Sequence, residues 1–561
     1  MSLSNGGNAA TVREYDLATR SASRRFRDPE AKPQELWVDK DTLLIATDWG
    51  EENGQATLTT SGYPYVAKLW KRGAPLETAK TMFRGEIGDV AAGPFAIENE
   101  FGRRWYGASR AETFFTASNF LFPEDDNGAL TGGDPIRLPI PLKSSPQGVF
   151  GDMLYLTLEE DWTPEGQPAF KSGDLVAFAW GEFLHTKKLP EVSLVLRPTA
   201  RQAIQDVSIS RAGLLITLSD NVAVKVLQLS GKPGAWTLKD VGLPPAGSAE
   251  VIFADSEEVT AYLGYESFLS PDTLYQYDTV SHDLSAIKSL PAWFDAGPYE
   301  VQQFEAASKD GTKVPYFVVH AKGMKLDGSN PALLYGYGGF QVSMTPGYSG
   351  SIGKLWLDQG GVYVLANIRG GGEFGPAWHQ AGLKTKRQVV YDDFIAVAED
   401  LISRKITSPK KLGAMGGSNG GLLMGVMFTQ RPDLFNAIVC QVPLLDMLRY
   451  HLLLAGASWM DEYGDPDVPE ERAFLEKLSP YHNVDPAQTY PEIYFETSTK
   501  DDRVHPGHAR KMAKRLEDLG KPFLYYENTD GGHSAAANQR ETARRMALEY
   551  TYLARKLMDG K

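Results

Sequence analysis

The chain has 561 residues, of which 42% are hydrophobic and 23% charged, with a net charge of −14. That length exceeds what one hydrophobic core supports and predicts at least two domains. The acidic balance without a basic stripe argues against nucleic acid as a partner, and the single cysteine, Cys440, excludes an internal disulfide and a thiolate metal cluster.

The first residues, "MSLSNGGNAATVREYDL", lack the charged and apolar regions of a signal peptide. No stretch approaches the ~18 apolar residues of a membrane span. A cytoplasmic location away from membranes is the expectation, with the reservation that an export signal would be lost with any missing N-terminal segment. The basic cluster from Arg20 to Arg27 reads as a solvated surface or a frayed terminus.

Residues 1–297 read as β structure. Short apolar stretches such as "DTLLIATDWG", "GDMLYLTLEEDW", "GDLVAFAWG" and "DTLYQYDTVSHDL" alternate with turn residues. In "GLLITLSDNVAVKVLQLSG", Leu214, Ile216 and Leu218 alternate, Ser219-Asp220-Asn221 reads as a turn, and Val222, Val224 and Val226 alternate back. Many short antiparallel strands predict a sandwich, barrel or propeller. At roughly 40–50 residues per propeller blade, the region holds about five or six blades.

Residues 298–561 change character. A hairpin-like entry, "FEAASKDGTKVPYFVVHAKG", is followed by alternating strands and helices. Strands are expected in "PALLYGYGGF", "GGVYVLANIRG", "KLGAMGG", "FNAIVCQVPL", "PEIYFETSTKDD" and "PFLYYENTDGGH". Helices are expected in "DDFIAVAEDLISRK", "NGGLLMGVMFTQRP", "HPGHARKMAKRLEDLG" and "NQRETARRMALEYTYLARKL". This alternation predicts an α/β fold, a mainly parallel, doubly wound sheet with helices on both faces. Ligands then gather at the carboxyl ends of the strands. Cys440, in an apolar strand, reads as an inert buried thiol.

Gly416-Gly417-Ser418-Asn419-Gly420 fits G-x-S-x-G between a strand and a helix, the context of a nucleophile elbow. The residues two before and two after the serine approach each other on such a turn, so glycine is needed at both. A serine hydroxyl needs a base, and the base an orienting acid, in the chain order Ser, Asp or Glu, His. Five histidines follow Ser418. His451 and His482 precede the best acids, and His505 and His508 read as surface or helix-end residues. His533, in "NTDGGHSA" after the last strand, is the candidate base. "IYFETSTKDDRVHP" supplies Asp501 and Asp502 as acids, and periodicity does not choose between them. The backbone N–H of Asn419 is one candidate oxyanion donor, and Tyr337 of "LYGYGGF" offers a phenol O–H as a second.

Together "YGYGGF", "ANIRGGGEFGPAWH", "GGSNGGLL", "QRPDLFNAIVCQVPLLDML", "WMDEYGDP", "DDRVHPGHARK" and the late glycine-histidine resemble the prolyl oligopeptidase family of serine peptidases. The likeness runs without large gaps from about Ser308 to the C-terminus and more weakly upstream through "YESFLSPDTLYQYD". It implies an α/β-hydrolase domain (298–561) capped by a β-propeller domain (1–297). It also implies a triad of Ser418, Asp501 and His533, with oxyanion donors Tyr337 and Asn419. Trp459 matches the indole that stacks on a substrate proline, and Tyr463 falls in the same pocket. Phe340, Leu444 and Val504 match other pocket-lining positions, and Arg503 matches the arginine that binds a backbone carbonyl of the preceding residue. Relative to the family's seven blades and N-terminal helical segment, the chain is expected to begin inside the propeller, N-terminally truncated by roughly two blades.

The resulting expectation is a monomeric endopeptidase that cuts short proline-containing peptides after proline and needs no metal or organic cofactor. The alternatives are a related oligopeptidase with another first-pocket preference, an esterase of the same fold, and a propeller binding module carrying an inert hydrolase domain. The aromatic pocket around Trp459 argues against a basic preference, and the full set of triad residues argues against inertness.

Overall fold

The computed structural model describes residues 2–4, 9–27, 30–125, 127–232 and 234–559. Of the basic cluster, the side chains of Arg24, Arg25 and Arg27 lie outside what is described. From Ser2 to Ser289 the described strands form one three-stranded and five four-stranded antiparallel sheets, besides a small hairpin of Glu51–Glu52 and Gln55–Ala56. Each joins near neighbours in sequence, as short strands with tight turns dictate. The first strands of four successive sheets lie against one another. Gln34–Asp39 meets Ala91–Glu98, which meets Ser144–Phe150, which in turn meets Gln202–Ser210. Meanders stacked by their first strands are propeller blades, and the six sheets fall at the upper end of the expected number.

One blade hairpin departs from its sequence reading. Gly213–Asp220 pairs with Ala223–Lys232 with Asp220 opposite Ala223, so the two-residue turn is Asn221-Val222. Both residues have positive φ, 52° and 75°, as the twist of a two-residue hairpin requires. A β-branched residue is strained there. Val222 holds the position because it is fully buried in a cluster with Phe317, Val319 and Leu333 of the second domain.

The second domain is built on one eight-stranded sheet. In chain order its strands are β1 (Tyr299–Ala307), β2 (Lys313–Ala321), β3 (Ala332–Tyr335), β4 (Val362–Ala366), β5 (Leu412–Gly417), β6 (Ala437–Gln441), β7 (Ile493–Ser498) and β8 (Phe523–Asn528). Their spatial order is β1-β2-β4-β3-β5-β6-β7-β8. The pairs β1–β2 and β2–β4 are antiparallel and the rest parallel. This is the α/β-hydrolase order, and the connections reverse direction around β3, which places the ligand-binding crevice at the carboxyl ends of β3 and β5.

The apolar strand runs feed two cores by simple alternation. In β4, Val362, Val364 and Ala366 enter one core and Tyr363 and Leu365 the other; in β6, Ile438 and Cys440 oppose Ala437 and Val439. The first core is closed by α1 (Gln388–Ser403), α2 (Asn419–Gln430) and α3 (Gly507–Asp518), the second by α4 (Gln539–Leu557). Helix α2 is buried at every position from Asn419 to Phe428, which explains why its sequence is apolar on all sides.

Candidate functional site

Ser418 ends β5 and begins α2 with φ 60° and ψ −114°, a left-handed turn for a residue with a side chain. The flanking glycines are a steric requirement. A Cβ on Gly416 would stand 2.5 Å from the carbonyl oxygen of Gly420, and one on Gly420 2.9 Å from that of Gly336. The Ser418 N–H donates to the Gln441 carbonyl of β6 at 2.9 Å, which ties the turn to the sheet.

Asp501 and His533 stand on the loops after β7 and β8. His533 Nδ1 lies 2.8 Å from Asp501 Oδ2. The other oxygen of Asp501 accepts the N–H groups of Arg503 at 3.0 Å and Val504 at 2.9 Å. Asp501 is therefore buried and fixed on both oxygens, whereas Asp502 accepts the N–H of Ala9 from the propeller at 3.2 Å. Among the described residues Ser418 Oγ is not hydrogen-bonded to the imidazole. Such contacts are commonly loose without substrate and tighten around it.

On the opposite side, Tyr337 follows β3. Burial raises its phenol pKa, and Ser418 partly offsets the shift, so the group is a neutral O–H donor facing the serine. As the first residue of α2, Asn419 has a backbone N–H without an intrahelical acceptor. Its side chain makes three hydrogen bonds. Nδ2 donates to the Tyr337 carbonyl at 2.7 Å, and Oδ1 accepts from Arg387 and, at 3.0 Å, from the Tyr463 hydroxyl.

Arg387, just before α1, was not singled out from the sequence. It is 1% exposed and donates to Glu462 Oε1 at 2.6 Å, to the Gly338 carbonyl at 3.2 Å and to the Tyr391 hydroxyl at 3.2 Å. Its guanidinium also lies over the Tyr463 ring at 4.6 Å. Glu462 Oε2 takes a further contact from His379 Nε2 at 2.7 Å. Burial alone would raise the Glu462 pKa, but His379 and Arg387 outweigh it and hold the carboxylate below its ordinary range. Glu462 and His379 lie inside the motif stretches "WMDEYGDP" and "GPAWH". Arg387 sits in "KTKRQ", where nothing separates a buried arginine from its solvated neighbours.

Trp459, Tyr463, Leu444 and Val504 share one buried cluster with Phe340 packed on it. Trp459 closes a 3-10 segment, Leu454–Trp459, and Tyr463 a short helix, Met460–Tyr463. Phe340 meets Tyr463 edge-on at 5.5 Å and Phe114 of the propeller at 5.1 Å. Propeller residues line the approach. Phe115 packs on His379 at 4.6 Å, the Thr113 hydroxyl donates to Asp461 at 2.7 Å, and Lys32 lies over Tyr63 at 4.7 Å. A cavity of about 340 Å³ between the domains is lined by Phe114, Phe115, Phe340, Glu159 and Leu383. A larger one of about 660 Å³, lined by Asp206, Glu250, Glu266 and Lys288, includes none of the candidate residues. Arg503 is exposed, beside Asp501.

The remaining histidines stand apart from Ser418 chemistry. His508, read as a surface or helix-end residue, is buried in the first turn of α3. Its Nδ1 accepts the N–H groups of Leu445 at 3.2 Å and Asp446 at 3.1 Å, and burial lowers its pKa to about 4. Cys440 is buried, its thiol pKa raised by burial, and it donates to the Gly421 carbonyl at 3.3 Å.

Comparison with known proteins gives these features a family. The model of the prolyl oligopeptidase family matches residues 347–560, and that of its N-terminal β-propeller domain matches residues 185–289. A peptidase of Sinorhizobium fredii is 46% identical over 568 residues, covering 100% of this chain and 76% of its own length. The prolyl endopeptidase of Dictyostelium discoideum is 39% identical over 56% of this chain and 42% of its own. The solved structure of a post-proline cleaving enzyme from Rickettsia typhi superposes with a TM-score of 0.92 at 34% identity, covering 99% of this chain and 81% of that one. Oligopeptidase B from Leishmania major, with a TM-score of 0.85 at 21% identity over 100% of this chain and 77% of its own, shares the fold. A serine on a strained elbow, an α/β-hydrolase sheet and a propeller cap thus meet in one chain, which belongs to the prolyl oligopeptidase family of serine-type peptidases.

Proposed function

We propose that this peptidase cleaves short peptides on the carboxyl side of proline. Ser418 attacks the scissile carbonyl and forms an acyl-enzyme. His533 takes the serine proton on the nitrogen opposite Nδ1 and returns it to the leaving amine, while Asp501 holds the ring and stabilises the imidazolium. The tetrahedral oxyanion forms between the Tyr337 hydroxyl and the Asn419 N–H. Water then releases the acyl group by the same steps in reverse.

The observation that carries the specificity is the charge state of the pocket. Trp459, Tyr463, Phe340, Leu444 and Val504 offer apolar surface, and the buried carboxylate between Trp459 and Tyr463 in sequence, Glu462, is already taken by Arg387 and His379. A basic substrate side chain seated on these residues would find Glu462 already paired and would lose its hydration without a partner. Proline is apolar and brings no N–H that needs an acceptor. Arg503, exposed beside Asp501, can donate charge-assisted bonds to the carbonyl of the preceding residue.

The test is a panel of matched amides ending in Pro, Ala or Arg, run with the Ser418→Ala variant. The proline amide should be turned over fastest. Ser418→Ala should remove cleavage by about a millionfold with the fold intact. Preference for the arginine amide would refute the proline reading, and undiminished cleavage by Ser418→Ala would refute the nucleophile.

A further inference from the structure

We infer that Arg387 is the positioning residue that aligns both oxyanion donors and ties them to the wall of the first pocket. The inference rests on the assignment of Tyr337 and Asn419 as those donors. Three segments far apart in sequence meet at one guanidinium. Its bond to the Gly338 carbonyl fixes the loop that carries Tyr337. A second, to Asn419 Oδ1, fixes the residue whose backbone N–H follows the nucleophile. The salt bridge to Glu462 Oε1, with the guanidinium over the Tyr463 ring, fixes the short helix after Trp459.

Asn419 is the second node. Its amide spends Nδ2 on the Tyr337 carbonyl and Oδ1 on Arg387 and Tyr463. Rotation of that side chain would break all three bonds, so the first turn of α2 and the loop after β3 move together or not at all. Only a planar fork serves this role. A lysine ammonium can keep Glu462 but does not span Glu462 and Asn419 with two oriented bonds. Arg387 touches neither scissile bond nor nucleophile in this scheme. Its effect passes through the direction of two hydrogen bonds that strengthen as charge develops on the oxygen.

The experiment is a double-mutant cycle with the fold monitored. Arg387→Lys retains the charge opposite Glu462 and should keep the melting temperature near that of the parent. It should lower kcat roughly tenfold to a hundredfold, the scale of a small misplacement of reacting groups, while KM on a proline amide changes less than about threefold. Rates are normalised to the fraction of sites labelled by a fluorophosphonate, so a loss of folded enzyme is not read as slow chemistry. In the Tyr337→Phe background the same substitution should cost less than it does alone, because one of the two donors it aligns is already gone.

Equal costs in both backgrounds, or a normalised kcat unchanged in Arg387→Lys, would overturn the inference. If Arg387→Lys does not fold, Glu462→Gln/Arg387→Met removes both buried charges and is held to the same criteria. A Tyr337→Phe enzyme with unchanged kcat would instead overturn the donor assignment, an outcome read from that variant alone. The cycle can be run on whichever amide the enzyme turns over, so a failed proline preference leaves it interpretable.

Discussion

Tyr337 carries a packing role and a proposed chemical one in the same side chain. Burial raises its phenol pKa, so the hydroxyl remains a donor through neutral and mildly alkaline pH, when a less buried phenol begins to ionise. Tyr337→Phe keeps the ring and removes only the donor. It should lower kcat roughly a hundredfold to a thousandfold, about 3 kcal/mol of transition-state stabilisation, with KM little changed. Steady-state kinetics on a proline amide measures both parameters, and a fall confined to KM would mean the hydroxyl binds substrate without serving the oxyanion. At this scale the sequence is legible where geometry forces a residue type. Gly416 and Gly420 are required because a Cβ on Gly416 would strike the Gly420 carbonyl. It is illegible where a residue type has many uses. Asp501 and Asp502 are neighbours of the same type on one loop, and only the fold turns Asp501 to His533 and Asp502 to the Ala9 N–H.

The strands and long helices of the second domain are legible because each is driven by one repeated pattern. Apolar runs of the length of β4, β5 and β6 fill two cores at once, and the sixteen- and nineteen-residue helices α1 and α4 present one apolar face. The stretch from Tyr450 to Tyr463 has no such pattern. It is a chain of 3-10 turns and one four-residue helix held by burial of Tyr450, Trp459 and Tyr463 and by the Arg387–Glu462 pair, all long-range causes that local periodicity does not encode. Helix α3 shows the same limit in His508. Its Nδ1 accepts two backbone N–H groups from the loop after β6, a role available only to the neutral ring. Burial lowers its pKa to about 4, with Asp446 opposing and Lys511 and His505 adding to the shift. The unfolded chain takes up this proton near pH 6.5 and the folded one near pH 4, so stability falls as pH drops through that window, by about 3 kcal/mol in full. His508→Asn keeps an acceptor in place of Nδ1 and removes the titration. Melting temperatures between pH 7 and 4.5 should fall less steeply in the variant than in the parent. The comparison separates His508 from groups of opposite sense such as buried Glu373, whose carboxyl is raised to about 7. Parallel slopes would show that His508 does not titrate in this range.

Across the whole molecule, the candidate site lies where the propeller meets the hydrolase domain. Asp501 and Asn419 are buried, and the His533 side chain is 11% exposed. The domains are joined by the Val222 cluster on one side and, around the cavity beside Glu159, by the Phe114–Phe340 and Phe115–His379 ring contacts and scattered polar contacts. Gln341 Nε2 donates to Glu159 Oε2 at 2.7 Å and Gln380 Nε2 to the Glu159 carbonyl at 2.7 Å, while Ser343 donates to Gln205 at 2.8 Å. Single hydrogen bonds between polar surfaces are what transient interfaces use. A peptide threaded past Ser418 needs more room than the 340 Å³ cavity beside Glu159, so the polar side of the interface should part to admit it, with the Val222 side as the hinge. Cys440 is buried and the sole cysteine, so new thiols can be joined selectively. Glu159→Cys with Gln341→Cys, bridged by a short reducible cross-linker, should slow cleavage of a ten-residue proline peptide far more than that of a dipeptide amide, and reductant should restore it. Rates on both substrates unchanged by bridging would mean that peptides reach Ser418 without this side of the interface parting.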